Sequence, residues 1–294
     1  DVVSKYYSYA VEYYKDTDNE IQWLPICALP QTIIANKTLF DQYGIKVPEN
    51  YEEYVQVCQQ FYDKGIKPYS MNFAEDWANQ EIIQAAAIGE FTSLAGIDWR
   101  NEAETSAGEI KFDDVLWKRI FSETSQFLKD SHFSKEDINV NVNTGTQMFV
   151  EGKSAMFHGQ PRDMQKFQDQ MDAELIRIPY FSQTSDSSFV YMFPSLNIAF
   201  NKELEKNQEK LDTALDVLDC MISEQGQKLI ADGSGVISFN TDVPSMMQNV
   251  PGLEEEIKDT SIYIRYSAQK SFDASLEAVH GLLSGKMDEM QAYN

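Results

Sequence analysis

Strands and helices are predicted to alternate along this chain, which makes an α/β fold the expectation. Short segments rich in β-branched residues recur between longer segments whose apolar residues repeat with the helical period. The composition supports a packed core, because 43% of the residues are hydrophobic and 12% are aromatic. The 294 residues are enough for one or two domains.

The N-terminal third should supply the first strands of the sheet. Residues 21–25 and 33–35 are predicted to be extended, and a helix is expected after each. Asn50, with Glu53 three positions later, resembles a capping box, and the helix that it opens should end at Gly65. A strand over residues 66–71 is expected next.

The rest of the chain continues the alternation. Helices that cover the sheet are predicted over residues 78–95 and 112–130, and a shorter helix should stop at Gly152. Further strands are expected at residues 154–157, 175–178 and 197–200. The C-terminal helices are predicted over the apolar stripe of Leu211, Leu215, Leu218 and Ile222, after a restart at residues 223–227, and over residues 268–284.

The charge balance excludes several classes of partner. Forty-seven acidic residues against 24 basic ones give a formal net charge of -23, which repels the phosphates of nucleic acids and anionic lipid surfaces. A role in binding DNA, RNA or a lipid surface is therefore not expected. No apolar run is long enough to cross a membrane, so we expect a soluble segment whose export signal has been removed or lies outside it.

Neither a disulfide framework nor a metal or cofactor site is predicted. The cysteines are odd in number and lack a C-x-x-C motif, which predicts buried free thiols at Cys27, Cys58 and Cys220. The histidines are scattered and lack acidic partners at the spacing of metal ligands, which predicts structural or exposed roles for His132, His158 and His280. No cofactor is therefore expected.

A series of segments matches the motifs of one protein family, in the order in which that family carries them. The most specific is ANKTLFDQYGIKVP at residues 35–48, which is similar to the family's Y-N-K-D-L-F-E-K-A-G-I-K-V-P. The others lie at residues 20–25, 51–68, 149–159, 200–202, 223–227 and 282–286. Together they resemble the family 1 extracellular solute-binding proteins of carbohydrate ABC importers, the group that includes maltose-binding protein.

The resemblance implies a two-lobe α/β fold of the periplasmic-binding-protein type II, with the N-terminal part of lobe one absent from this chain. Crossings between the lobes are expected near residues 29–33, 194–196 and 240–244, where a hinge would close the lobes about a ligand. The implied division is residues 1–29 as a remnant of lobe one, 30–193 as lobe two, 194–242 as lobe one continued, and 243–294 as C-terminal helices packing on lobe two.

The same resemblance implies a ligand site on the loops between the lobes. A neutral sugar needs flat aromatic faces for its C–H surfaces and planar polar side chains for its hydroxyls. Trp77 follows the strand at residues 66–71, and Gln160 and Arg162 follow the strand at residues 154–157. The predicted ligand-binding residues are Trp77, Asp76, Gln160, Arg162, Tyr191, Gln31, Tyr263 and Arg265.

Several of these residues have a structural alternative. Trp77 could anchor a helix or fill the core, and Asp76 could be the N-cap of the helix that follows. Arg162 could form a surface ion pair, and Tyr191 could fill the core rather than narrow a pocket. The family often has G-S-W where this chain has Gly159, Gln160 and Pro161. This chain therefore lacks a Trp at that point to stack on a sugar ring.

The function that the resemblance implies is capture of a mono- or oligosaccharide and its delivery to the membrane subunits of an ABC permease. The protein would be a monomer, lipid-anchored outside the cell or free in the periplasm, and not an enzyme. Two alternatives stay open: a secreted glycoside hydrolase, which needs a pair of carboxylates, and a surface interaction module that uses exposed aromatic residues. G-x-S-x-G, H-E-x-x-H and P-loop motifs are absent, and the adjacent Glu75 and Asp76 do not by themselves place an acid and a nucleophile across a substrate.

Overall fold

The computed structural model describes residues 3–6, 11, 15, 20–21, 23–105, 114–234, 236–243, 261–265 and 269–293. Strands and helices alternate among these residues, which confirms the predicted α/β class. The chain divides into two compact units. Unit 1 consists of Asp1–Pro30 and Met192–Glu255, and unit 2 consists of Gln31–Tyr191 and Glu256–Asn294.

The elements are numbered here in chain order. The described strands are β1 (Leu24–Asn36), β2 (Lys67–Ser70), β3 (Ser154–Gly159), β4 (Leu175–Ile178), β5 (Tyr180–Phe181), β6 (Ser188–Ile198), β7 (Ile237–Ser238) and β8 (Ser261–Ile264). The described helices are α1 (Lys37–Tyr43), α2 (Tyr51–Asp63), α3 (Asp76–Ala86), α4 (Ile88–Phe91), α5 (Leu94–Thr105), α6 (Asp114–Asp130), α7 (Val142–Val150), α8 (Pro161–Gln168), α9 (Gln208–Ile222), α10 (Glu224–Ser234), α11 (Gln269–Ser284) and α12 (Glu289–Tyr293). None of these helices combines the length and the apolar character needed to cross a membrane.

The sheet of unit 2 is built around the second half of β1. This half pairs antiparallel with β3, where Thr32 lies opposite Gly159, and antiparallel with β4, where Ile33 lies opposite Ile178. The strand β2 runs parallel to β3, with Ser70 opposite Phe157. Parallel pairing needs a long connection between the strands, and helices α3 to α7 lie within that connection.

Helices α2, α3 and α6 share one apolar core in unit 2. Phe40 and Phe61 meet edge to face with their ring centroids 4.9 Å apart, and Tyr54 stacks on Phe127 at 5.6 Å. All four side chains are buried. The late helix α11 packs against α3, so the C-terminal part of the chain completes this core.

One of the two hydrogen bonds of the capping box predicted at the start of α2 differs from the expectation. Asn50 caps α2 as predicted, because its side chain accepts a hydrogen bond from the Glu53 backbone N–H at 2.9 Å. The Glu53 carboxylate, however, accepts from the backbone N–H of Glu49 and not from that of Asn50. The predicted stops at Gly65 and Gly152 are confirmed by their positive φ angles of 74° and 68°.

Two strands differ from the prediction. β1 is continuous, so no helix separates the extended segments predicted at residues 21–25 and 33–35. Every residue of β1 after Leu24 is buried, and pairing with β7 in one half and with β3 and β4 in the other keeps it extended. β6 starts well before the predicted residue 197 because Phe189 and Ser188 already pair with β5.

Unit 1 has a small described core. β7 pairs with the first half of β1, with Cys27 opposite Ser238, and Cys27 packs with Leu29 and Val236. The amphipathic helix α9 is present as predicted, but none of its residues is buried. Its Cys220 is therefore exposed, so the prediction of a buried thiol was wrong there, whereas it is confirmed for Cys27 and Cys58.

Candidate functional site

One edge of the sheet in unit 2 collects the ends of several strands. Because β2 and β3 are parallel, their carboxyl ends lie side by side, and the register places Thr32 of the antiparallel β1 next to the end of β3. The end of β4 reaches the same edge, where Thr32 Oγ1 donates to the Ile178 carbonyl at 3.1 Å. Ligands of α/β sheets bind preferentially beyond the carboxyl ends of the strands. We call this the carboxyl edge of unit 2.

Trp77 and Asp76 follow β2 at the carboxyl edge. Trp77 is half-buried and packs against the core of unit 2, with its ring 6.3 Å from the His158 ring. Asp76 is exposed in the first turn of α3, where a carboxylate interacts favourably with the helix dipole. The N-cap of α3 is Glu75, so the alternative of Asp76 as the N-cap was wrong.

Gln160 and Arg162 follow β3 at the same edge. Gln160 is the N-cap of α8, and its backbone N–H donates to the Asp163 carboxylate at 2.9 Å. The Asp163 backbone N–H donates to the Gln160 carbonyl at 2.9 Å. The side-chain oxygen Oε1 of Gln160 is left buried without a partner among the described residues. Arg162, the second residue of α8, is exposed.

A buried ionic network lies beneath the carboxyl edge. The carboxylate of Glu81, on α3, accepts from His158 Nε2 at 2.8 Å and from the guanidinium of Arg265, which follows β8. The three residues are 3%, 2% and 4% exposed, respectively. Burying charged groups is favourable only when they are paired, and here each one is.

Four tyrosines surround this network. Tyr180 lies 2.7 Å from His158 Nδ1, and Tyr69 lies 3.4 Å from the same nitrogen. Burial raises the pKa of both phenols well above the ordinary value, so both remain protonated at neutral pH. Burial likewise raises the pKa of Tyr191, against the lowering effect of the Arg265 charge. Tyr263 donates to Gln84 Oε1 at 2.6 Å, which ties β8 to α3.

The structure therefore groups the predicted ligand-binding residues into two layers of unit 2. Trp77, Asp76, Gln160, Arg162 and Gln31 lie on the elements that meet at the carboxyl edge, although Gln31 itself is 2% exposed. The lower layer is buried and consists of Tyr191, Tyr263 and Arg265. Direct ligand contact by any of the eight stays a prediction.

Sequence reasoning missed Glu81 and its pairing with His158. The signal was present in part, because Glu81 falls between Ala78 and Ile82 on the stripe of α3 that faces the core. A charged residue at an apolar position of a stripe needs a buried partner. The separation of 77 residues from His158 hides that partner from any local pattern.

A second buried carboxylate lies in unit 2 between α4 and α6. Glu123 is 8% exposed, and its Oε2 atom has no hydrogen-bond partner among the described residues. Its pKa is raised to about 7, chiefly by burial and secondly by the nearby Glu90 carboxylate, whereas Arg119 acts in the opposite direction. Arg119 itself donates to Glu90 at 2.8 Å.

Two other places are poor candidates. Within the described part of the chain, no group of three His, Cys, Asp or Glu side chains could hold a metal ion. A shallow cavity of about 520 Å³ lies beside α9 in unit 1, but it contains none of the predicted residues. Its lining consists of Phe200, Asn207, Glu209, Lys210, Thr213, Ala214 and Val217.

The chain matches one protein family over most of its length. The family model for bacterial extracellular solute-binding proteins matches residues 2–259. A curated relative, the multiple sugar-binding protein of Streptococcus mutans, is 24% identical over 148 residues. That match covers 50% of this chain and 34% of the relative, so the chain spans about a third of the relative's length.

Solved structures show the same fold. A family 1 extracellular solute-binding protein from Bifidobacterium longum subsp. infantis superposes with a TM-score of 0.79 at 14% identity, covering 99% of this chain and 76% of that one. A sugar transporter from Bacillus licheniformis in complex with stachyose superposes with a TM-score of 0.72 at 16% identity, covering 99% of this chain and 76% of that one. A Streptococcus pneumoniae solute-binding protein in complex with the blood group A-trisaccharide superposes with a TM-score of 0.69 at 14% identity, covering 96% of this chain and 72% of that one.

Proposed function

Because the chain belongs to the bacterial extracellular solute-binding proteins, we propose that it is the substrate-binding component of an ABC importer for a sugar or oligosaccharide. It captures the saccharide between two lobes hinged at the predicted crossings and delivers it to the transmembrane subunits of a permease. It does so as a monomer, with a lipid anchor on the extracellular face of the membrane or free in the periplasm. The solved relatives in complex with stachyose and with a trisaccharide support this ligand class.

The carboxyl edge of unit 2 is the observation that carries the proposal. Trp77 offers an aromatic ring that is only half-buried, and Gln160 offers a side-chain oxygen without a partner. Aromatic faces pack against the C–H surfaces of a sugar, and a buried carbonyl oxygen gains most from a hydroxyl donor. Arg162 adds exposed donors on the same side of the sheet.

Catalysis is not part of the proposal. A glycoside hydrolase needs one carboxylate free to donate a proton and another free to attack or activate water. Beneath the carboxyl edge the buried carboxylate of Glu81 is already paired with Arg265 and His158, so it is not free for either role. The named relatives are sugar-binding and solute-binding proteins.

A binding screen tests the proposal directly. Mono- and oligosaccharides, including stachyose, chitin oligosaccharides and the blood group A-trisaccharide, are added to the purified chain, and the melting temperature and heat of binding are measured. A saccharide at 100 times its Kd should stabilise the folded chain by about 2.7 kcal/mol. The absence of binding by every saccharide, or turnover of a glycoside, would contradict the proposal.

Trp77→Ala tests whether the saccharide found in the screen contacts the carboxyl edge. Removal of the aromatic face should raise the Kd of the saccharide that binds most tightly by about tenfold or more, equivalent to about 1.4 kcal/mol. The matched control is Trp23→Ala, because Trp23 is 53% exposed and belongs to unit 1. Equal affinities for the two variants would remove Trp77 from the site.

A further inference from the structure

The network around Glu81 lies directly under the groups proposed to bind the saccharide. His158 lies 6.3 Å, ring to ring, from Trp77, and it precedes Gln160 by two positions at the end of β3. Arg265 follows β8, whose Tyr263 donates to Gln84 on α3. His158 thus lies close to Trp77 and Gln160, and Tyr263 connects the strand before Arg265 to the helix that carries Glu81.

The network joins three distant parts of the chain at one carboxylate. Glu81 is 77 residues from His158 and 184 residues from Arg265 in sequence. Because a carboxylate can only accept, His158 Nε2 and the guanidinium both donate to it. This fixes the relative positions of α3, β3 and the segment that ends at Arg265.

Stability alone is a weak reason for such a network. Desolvation of two ions offsets most of their attraction, and well-packed apolar residues of similar volume often serve as well. The side chains of the core around it are mostly apolar. Hydrogen bonds to a buried charge are nevertheless directional, so a network of this kind holds side chains in one geometry.

We infer that Glu81 is a positioning residue for ligand binding, which holds His158 beneath Trp77 and ties the segment ending at Arg265 to α3. This inference rests on the proposed function, because it concerns the same site. Glu81 touches no ligand itself. Glu81→Gln keeps the size of the side chain but removes the negative charge that pairs with Arg265, so the site should loosen and ligand affinity should fall.

The His158 ring connects Glu81 to the sheet. It is faced by Glu81 from α3, by Tyr180 from β5 and by Tyr69 from β2. Arg265 reaches the same carboxylate. Removal of the His158 ring should therefore loosen the same site as removal of the Glu81 charge.

A matched ion pair is available as the control. Lys67 Nζ lies 2.6 Å from Asp137 Oδ1, and the two side chains are 16% and 6% exposed. Lys67 opens β2, so this pair lies at the opposite edge of the sheet from Trp77. Asp137→Asn removes one charge from a buried pair in unit 2, as Glu81→Gln does, but far from the proposed site.

The experiment compares Kd for the tightest saccharide, and the melting temperature, across wild type, Glu81→Gln and Asp137→Asn. Glu81→Gln should weaken binding by about tenfold or more, because a hydrogen bond to a charged group is lost. Asp137→Asn should lower the melting temperature and change Kd by less than about twofold, as expected of a distant site. His158→Asn should also weaken binding, whereas His132→Asn, at a ring stacked on Tyr62, should change Kd by less than about twofold.

The outcomes separate the inference from the proposed function. If Glu81→Gln and Asp137→Asn lower the melting temperature alike and leave Kd unchanged, the network is structural and the inference is wrong. If Glu81→Gln does not fold, the Kd of His158→Asn decides, and a value equal to that of the wild type overturns the inference. If the wild type binds no saccharide, the proposed function fails before any variant is compared, and the inference falls with it.

Discussion

The buried carboxylate of Glu123 should make the stability of the chain depend on pH. Burial raises its pKa from the ordinary 4.5 to about 7, with the Glu90 carboxylate as a second cause. Between these values the folded chain keeps a proton that the unfolded chain has lost. Stability therefore falls as the pH rises from about 4.5 to about 7, and remains lowered above that.

The size of this effect follows from the shift. At about 1.36 kcal/mol per pH unit, a pKa raised from 4.5 to about 7 corresponds to a loss of at most about 3.4 kcal/mol. Solvent can relax around the carboxylate pair, which reduces the cost of ionising Glu123 and weakens its repulsion from Glu90. We expect about half of the upper limit, or about 1–2 kcal/mol.

Glu123→Gln removes the titrating group and keeps its shape. Urea unfolding measured from pH 4.5 to 8 should show wild type losing about 1–2 kcal/mol more than this variant across the range. Glu52→Gln, at an exposed position of α2, should retain the wild-type slope. Parallel profiles for wild type and Glu123→Gln would refute the reasoning, because the proton would then lie on another group.

Three further predictions concern binding, packing and thiol reactivity. In a calorimetric series of deoxy sugars, wild type should bind one analogue about tenfold or more weakly than the parent sugar, because that analogue lacks the hydroxyl that donates to Gln160 Oε1. Gln160→Met should bind this analogue and the parent sugar with similar affinity. An unchanged difference in affinity would exclude a hydrogen bond to Oε1. Phe61→Ala should lower the free energy of unfolding by about 3–5 kcal/mol, since the ring is fully buried, and a loss below about 1 kcal/mol in urea would contradict the packing. Cys220 should react with a thiol reagent in the folded chain, whereas Cys27 and Cys58, whose thiol pKa values burial raises to about 11 and about 12, should react only after unfolding.

Local patterns predicted the strands that carry the site. The strand before Trp77 and the strand before Gln160 each follow a helix that ends at a glycine, Gly65 or Gly152. The helix predicted over residues 78–95 was wrong in its length, because the structure divides this segment into α3, α4 and the start of α5. The choice of site residues on the separate loops came from the family resemblance and not from a local pattern.

The errors have a common cause in long-range pairing. β1 contains Pro25 and Pro30, which break a strand when only local sequence is considered. Pro30 lies between the residues that pair with β7 and those that pair with β3, where its missing N–H costs neither ladder a hydrogen bond. Glu81 was hidden in the same way, because its partners are supplied by distant parts of the chain.

The separation of 184 positions between Glu81 and Arg265 also affects the timing of folding during synthesis. At about 5–20 residues per second, a ribosome makes Arg265 on the order of 10–40 s after Glu81. During that interval α3 can form, but its central carboxylate stays hydrated, and the face that later packs on α11 stays open. The core of unit 2 thus cannot be completed until Arg265 and α11 have been translated, and the nascent protein remains accessible to chaperones for as long.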